Sequence, residues 1–161
     1  MEPILVITTG GTIDKVYFDA NSDFEVGDSV VGDLLQQANV NQPFEVLGVL
    51  RKDSLEFTDE DRGLVRDAAA ARPETRIVVT HGTDTMTETA KTLTALEGKT
   101  IVLTGSLAPA RFAQNDATFN VGMAFAAVQT LAAGVYIVMN GQVFEADRVK
   151  KDRSKNVFVR C

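Results

Sequence analysis

Ile4-Leu5-Val6-Ile7-Thr8-Thr9-Gly10-Gly11-Thr12-Ile13 decides how this chain folds. Its four consecutive aliphatic residues predict a strand covered on both faces, since a half-exposed strand would alternate. A diglycine then turns the chain, and Thr12 presents a hydroxyl where the strand pattern stops. The same arrangement returns at Ile77-Val78-Val79-Thr80-His81-Gly82-Thr83-Asp84-Thr85-Met86. In an open parallel sheet such strand ends converge on one crevice, where ligands sit. Two glycine-flanked threonines, Thr12 and Thr83, thus mark a candidate nucleophilic site.

Working outward, Phe44 to Leu50, opened by Pro43, and Thr100 to Thr104 read as further strands. Ser29 caps a short helix carrying Val30, Val31, Leu34, Leu35 and Ala38 on one stripe. Thr58-Asp59-Glu60-Asp61 opens a helix that ends before Pro73. A third helix runs from about Asp84 to Leu96, closed by Gly98. A fourth spans Asp116 to Ala133 and ends at Gly134. Residues 13 to 27 lack a clean period and read as a surface loop, a candidate lid. Val135 to Met139 and Gln142 to Glu145, joined by Asn140-Gly141, form a hairpin with a type I′ turn. Val157-Phe158-Val159 reads as a short edge strand. Strand and helix alternate four times, which predicts a three-layer α/β fold: a mainly parallel, Rossmann-like sheet wound like flavodoxin, flanked by helices, with a β-hairpin near the C-terminus. The expectation is one domain over residues 1–161.

Composition narrows the function. The chain has 161 residues, 45% hydrophobic and 24% charged, with a net charge of -6. That charge argues against a nucleic-acid surface, because phosphate binding needs clustered Lys and Arg. The one cysteine, Cys161, allows no internal disulfide. No apolar run is long enough for a membrane span, so a cytoplasmic protein is expected. No glycine-rich nucleotide loop is present. His81 is the only histidine, too few for a histidine metal cluster; it is the one residue that could serve as a histidine base, but a buried, hydrogen-bonded structural role is expected of it.

Thr9-Gly10-Gly11-Thr12-Ile13 and Thr80-His81-Gly82-Thr83-Asp84-Thr85-Met86, in this order, resemble the bacterial-type L-asparaginase family. The resemblance continues through Leu103-Thr104-Gly105-Ser106, Phe119-Asn120 and Val138-Met139-Asn140-Gly141, and covers nearly the whole chain. It corresponds to the family's amino-terminal catalytic domain; the second, smaller domain of the usual member has no counterpart in these residues. The resemblance implies hydrolysis of a side-chain amide, of L-asparagine or L-glutamine, with release of ammonia and no cofactor or metal. It puts the nucleophile on Thr12, a second cluster on Thr83-Asp84 and the lysine of that cluster on Lys151. The family's loop tyrosine falls on Phe24, and its Ser-Gln pair on Ser54-Leu55, so serine is kept to hold a substrate carboxylate. It also implies a homo-oligomer, here a dimer, in which a neighbouring subunit covers the crevice in some other way.

The residues themselves agree in part. A threonine hydroxyl is a weak nucleophile until a neighbour takes its proton, and phenylalanine cannot do so. Tyr17, in the same loop, is the nearest phenol, although an exposed loop aromatic is its plainer reading. Thr83-Asp84 alone reads as a helix cap, and a lysine among charges as a solvated one. A lysine in such a relay acts as base only where desolvation outweighs carboxylate pairing; otherwise it stabilises negative charge. N–H groups around Gly11, Gly82 and Thr83 are candidate donors to a tetrahedral oxyanion. Gly11, Ser54, Gly82, Thr83 and Asp84 are the expected substrate contacts, with Asp84 a further candidate for a substrate ammonium. Ser106 and Asn115 are candidates for supporting roles. Phe24 and Leu55 leave open a non-catalytic amino-acid-binding or regulatory protein, or an amidase for a larger amide.

Overall fold

The computed structural model describes residues 1–18 and 23–161. β1 (Ile4–Gly10) is buried along its whole length. Its alternate residues serve opposite cores: Leu5 and Ile7 face one, Ile4 and Val6 the other. The chain leaves β1 through a short 3-10 turn at Thr12–Asp14 and forms an antiparallel hairpin of β2 (Lys15–Phe18) and β3 (Asp23–Val26). The loop expected over residues 13–27 is corrected accordingly. Both strands are only four residues long and the ribbon stands away from the core, so no buried face imposes a hydrophobic period. Residues 19–22 of the candidate lid lie outside the described residues.

α1 (Val31–Gln37) follows, with Ser29 Oγ accepting from Val31 N at 3.3 Å. Then come β4 (Phe44–Lys52) and a 3-10 turn at Ser54–Glu56. α2 (Asp59–Ala71) opens with a capping box in which Thr58 and Asp61 satisfy each other's backbone N–H. β5 (Arg76–Thr80), α3 (Met86–Leu93), β6 (Thr100–Thr104), α4 (Ala117–Thr130), β7 (Gly134–Met139) and β8 (Gln142–Glu145) complete the layers. Asn140 and Gly141 both have positive φ, 53° and 68°, as a type I′ turn requires.

The sheet order is β4-β1-β5-β6-β7-β8, parallel throughout except for β8. Numbering the parallel strands along the chain gives 2-1-3-4-5, the expected flavodoxin winding, with the order reversing between β1 and β5. α2 and α3 cover one face through Val65, Ala69, Met86, Ala90 and Leu93. α1 and α4 cover the other through Val31, Leu35, Val121, Ala124 and Val128. Burying each of the larger aliphatic side chains is worth about 1.5–3 kcal/mol, which makes the sheet a rigid platform for its strand ends.

The last segment departs from expectation. Val157–Arg160 is strand β10, but it pairs with β9 (Val149–Asp152) in a separate antiparallel ribbon and does not join the sheet edge. Val149 and Phe158 anchor the ribbon in the α3-side core, and Asn140 Oδ1 accepts from Phe158 N at 2.8 Å. Charged residues at four consecutive positions, Lys150 to Arg153, conceal β9 in the sequence.

Candidate functional site

The carboxyl ends of β1, β4 and β5 meet at the switch point. Gly11, with φ 87°, lies so close to the main chain of Gly82 that any Cβ there would strike Gly82 N and Cα. A Cβ at Gly82 would in turn fall 2.7 Å from Ser54 Cβ and Oγ. These glycines let three strand-end turns touch, and their neighbours Thr12 and Thr83 flank the point of contact. Thr9 Oγ1 ties the two strands just below, donating to Thr80 O at 2.8 Å.

Lys151 arrives from β9. Its Nζ donates to Thr83 Oγ1 at 2.8 Å and to Asp84 Oδ1 at 2.9 Å, and the lysine side chain is only 10% exposed. Lys151 is therefore no solvated surface lysine. Because Thr83 Oγ1 accepts from it, the O–H of Thr83 must donate in another direction. Asp84 does not cap α3 either: that helix starts only at Met86, and Thr85 in front of it makes no side-chain cap. Thr85 instead links to the β4 end, donating through N to Ser54 Oγ at 3.2 Å and through Oγ1 to Ser54 O at 2.8 Å.

The other expected residues divide. Gly11 N donates to Lys52 O at 3.0 Å, so that N–H is spent and Gly82 and Thr83 remain as the candidate anion donors. Ser54 is buried, with its hydroxyl accepting from Thr85 N and its own O–H left to donate. Leu55 is exposed. Thr12 starts the 3-10 turn and is half-buried. Tyr17 and Phe24 are directly opposite in the β2–β3 hairpin, ring centroids 5.3 Å apart, and Phe24 also packs on Phe112 at 5.6 Å. Ser106 is buried and donates to Ala108 O at 2.5 Å. Asn115 is exposed and accepts from Ala117 N. Both shape the loop after β6 and do not enter the crevice cluster.

His81 is fully buried, with Nδ1 2.6 Å from Gly82 O and Nε2 2.7 Å from Thr89 Oγ1. Burial lowers its pKa to about 4, helped by the charge of Arg62 and opposed by the Gly82 carbonyl. It is a neutral strut for the Gly82 turn. Asp14, two residues after Thr12, is 1% exposed; burial raises its pKa to about 6 against the opposing pull of Val30 N–H, the Ser29 hydroxyl and Arg111. Its Oδ1 accepts from Val30 N at 3.1 Å, and Oδ2 has no partner among the described residues.

Sequence reasoning missed three residues around the site. Arg111 holds both feet of the β2–β3 hairpin, donating to Asp14 O at 2.8 Å and Asp28 O at 2.9 Å. Asp116 accepts from Leu107 N, Ala108 N and Asn120 Nδ2, fixing the loop after β6. Arg153 lies 3.7 Å from Asp84 Oδ1. None carries a local signal, although Asp116 and Asn120 stand one helical turn apart.

A hollow of about 280 Å³, lined by Lys15, Phe24, Lys52, Asp53 and Glu56 among others, opens at the end of β4 beside the hairpin. Another, of about 390 Å³ and lined by Leu96, Gly134, Tyr136 and Asp147 among others, lies at the start of β7, away from this chemistry. Among the described residues no group of His, Cys, Asp or Glu gathers as metal ligands, and no helix is long and apolar enough to cross a membrane.

Known proteins are similar to this chain in sequence and in fold. The glutaminase-asparaginase of Acinetobacter glutaminasificans is 32% identical over 162 residues, spanning 92% of this chain and 49% of that protein. The thermostable L-asparaginase of Thermococcus kodakarensis superposes with a TM-score of 0.82 at 27% identity, covering 98% of this chain and 51% of that one. One subunit of the glutamyl-tRNA(Gln) amidotransferase of Methanococcus vannielii is 30% identical over 89% of this chain and 35% of its own length. The chain thus spans about half of the first two relatives and a third of the last. The family model described as asparaginase, N-terminal, matches residues 3–158, and the chain belongs to the asparaginase family.

Proposed function

We propose that this chain hydrolyses the side-chain amide of L-asparagine, or of a close relative of it, with Thr12 as nucleophile. The observation that carries the reading is the Lys151–Thr83–Asp84 cluster, hydrogen-bonded at 2.8 and 2.9 Å beside the Gly11–Gly82 contact. Thr12 Oγ1 adds to the amide carbonyl, and the developing oxyanion is met by N–H groups of Gly82 and Thr83 and by the charge of Lys151. The C–N bond then breaks, and ammonia leaves with the proton that Thr12 gave up. Water, held by the O–H of Thr83, adds to the acyl ester, releasing the acid and restoring Thr12. Ser54 donates its remaining O–H to the substrate carboxylate. The relatives named as asparaginases and glutaminase-asparaginases support this class of reaction.

A second reading keeps the crevice and loses the chemistry. Phe24, the position of the family's loop tyrosine, is packed between Tyr17 and Phe112 and offers no proton-transferring group. On that reading the protein is a non-catalytic amino-acid-binding or regulatory protein. Ammonia release from L-asparagine and L-glutamine, measured beside Thr12→Ala, Thr83→Ala and Lys151→Met, separates the two. Turnover abolished by all three changes supports hydrolysis. No turnover, with L-asparagine still raising the melting temperature, supports the binder. The assembly put forward is a homodimer, in keeping with the uncharged exposed face of α4 around Phe119, and sedimentation tests it.

A further inference from the structure

The carboxylate of Asp84 is shared by two cations. Lys151 holds Oδ1 from the buried side; Arg153 approaches the same oxygen from solvent, Nε at 3.7 Å, and its Nη2 donates to the main-chain O of Asp84 at 3.3 Å. Arg153 is the first residue of the β9–β10 turn, and that turn is well braced. The Asp152 carboxylate accepts from Ser154 N at 3.0 Å and Ser154 Oγ at 2.6 Å, Asp152 O accepts from Lys155 N, and Asn156 takes the left-handed conformation at φ 56°. The guanidinium is thereby held at the crevice rim while 60% exposed.

Two consequences follow from charge. Lys151, Arg153 and Asp84 together carry one net positive charge. The surrounding segment 147–155 holds five basic and two acidic residues, in a chain whose net charge is -6. An incoming ammonium would be the third cation on one carboxylate, whereas an incoming carboxylate would meet a planar fork. Among the described residues that fork spends one N–H on a hydrogen bond. A positively charged rim in an acidic protein also concentrates anions locally.

We propose that Arg153 is a specificity residue, selecting amides that bear a carboxylate and no free ammonium, such as succinamate or an N-acylated asparagine. The inference rests on the amide-hydrolase reading for the word substrate and names which amides that site takes. Arg153 recruits the substrate carboxylate and withholds Asp84 from an amine; it takes no part in bond breaking. Its removal is therefore expected in KM and not in kcat.

The test pairs turnover with binding. In wild type, succinamate and N-acetyl-L-asparagine should show kcat/KM about tenfold above L-asparagine, the size of one charge-assisted contact. Arg153→Met should erase that margin by raising KM while kcat stays level, and Arg153→Lys should restore part of it. Calorimetry with succinate, N-acetyl-L-aspartate and L-aspartate reads the same preference without chemistry. If no amide is hydrolysed but succinate still outbinds L-aspartate in wild type alone, the hydrolase reading falls and Arg153 keeps its role. A wild-type preference for L-asparagine and L-aspartate, a preference unchanged in Arg153→Met, or no binding of any of the three acids overturns the inference.

Discussion

Replacing Asp14 by asparagine should change how stability depends on pH, by an amount the burial of that carboxylate sets. Its pKa is raised from 3.8 to about 6. An acid whose folded value lies above its unfolded value is protonated more in the folded state, so its contribution to stability is greatest below about pH 4. That contribution falls as pH rises through about 4 to 6 and is flat above about 7. Two pKa units correspond to about 3 kcal/mol. The Asp14→Asn variant would keep the oxygen that accepts from Val30 N but put an amide nitrogen where Oδ2 has no partner among the described residues, a penalty of about 1–3 kcal/mol at every pH. That penalty is constant, so the quantity to follow is the stability difference between variant and wild type. It should swing by about 3 kcal/mol in favour of Asp14→Asn between about pH 4 and pH 8, read as ΔG from urea unfolding at each pH. Wild type alone hides the effect, because His81 acts oppositely in nearly the same window. Its pKa is lowered from 6.5 to about 4, so its contribution is lost as pH falls through 6.5 to 4. Parallel pH profiles for the two proteins would refute the argument that the buried Asp14 carboxylate is ionised at a cost.

Gly11→Ala places a Cβ against Gly82 N at a φ of 87°, so it should cost about 3 kcal/mol or more and destroy the crevice; urea unfolding and loss of ligand-induced stabilisation check it. Lys151→Met leaves Thr83 and Asp84 without their shared partner, costing about 1–3 kcal/mol while abolishing ammonia release; a variant that still turns over removes Lys151 from the mechanism. Phe24→Tyr adds a phenol at the hairpin position where the family's tyrosine falls, on a ring already 40% exposed, and should raise the rate of ammonia release about tenfold or more as an added proton-transfer group. An unchanged rate would mean that the hairpin does not bring residue 24 to the reacting atoms. The imidazole signals of His81 should not titrate between about pH 5.5 and 8 by NMR; a midpoint near 6.5 would mean that the ring is hydrated.

The inner strands β1, β5 and β6 were legible because their burial is nearly complete. Ile4 to Ile7, Ile77 to Val79 and Thr100 to Thr104 are apolar or threonine at every position, as a strand covered on both faces requires. Turn chemistry was legible too, as at Asn140-Gly141 and the Thr58–Asp61 capping box, since it is decided within four residues. What escaped were ribbons with little core to impose a period. In β2 and β3 the rings of Tyr17 and Phe24 are exposed, and β9 carries two lysines and an aspartate among its four residues. In such strands the pairing is fixed by partners elsewhere in the sequence, as Phe158 N is fixed by the side chain of Asn140, eighteen residues away.

The same distinction separates the backbone of the site from its charges. Gly11 and Gly82 announce a close approach in the sequence, because few residue types allow one and the strand ends say where it occurs. Of the charges around Asp84, Lys151 is marked only by the family resemblance; nothing local separates it from Arg153 in a run of basic residues, and the two differ in burial: 10% exposed against 60%. That difference assigns their proposed work. A lysine with little water around it and two acceptors within 2.9 Å is bound into the cluster and acts on charge that develops there. An arginine at the rim, with one long ion pair and most of its donors in water, acts on what arrives. If this division holds, the two positions should fail differently on substitution, position 151 in kcat and position 153 in KM. A chain whose two substitutions gave the same kinetic defect would have one undivided basic patch there.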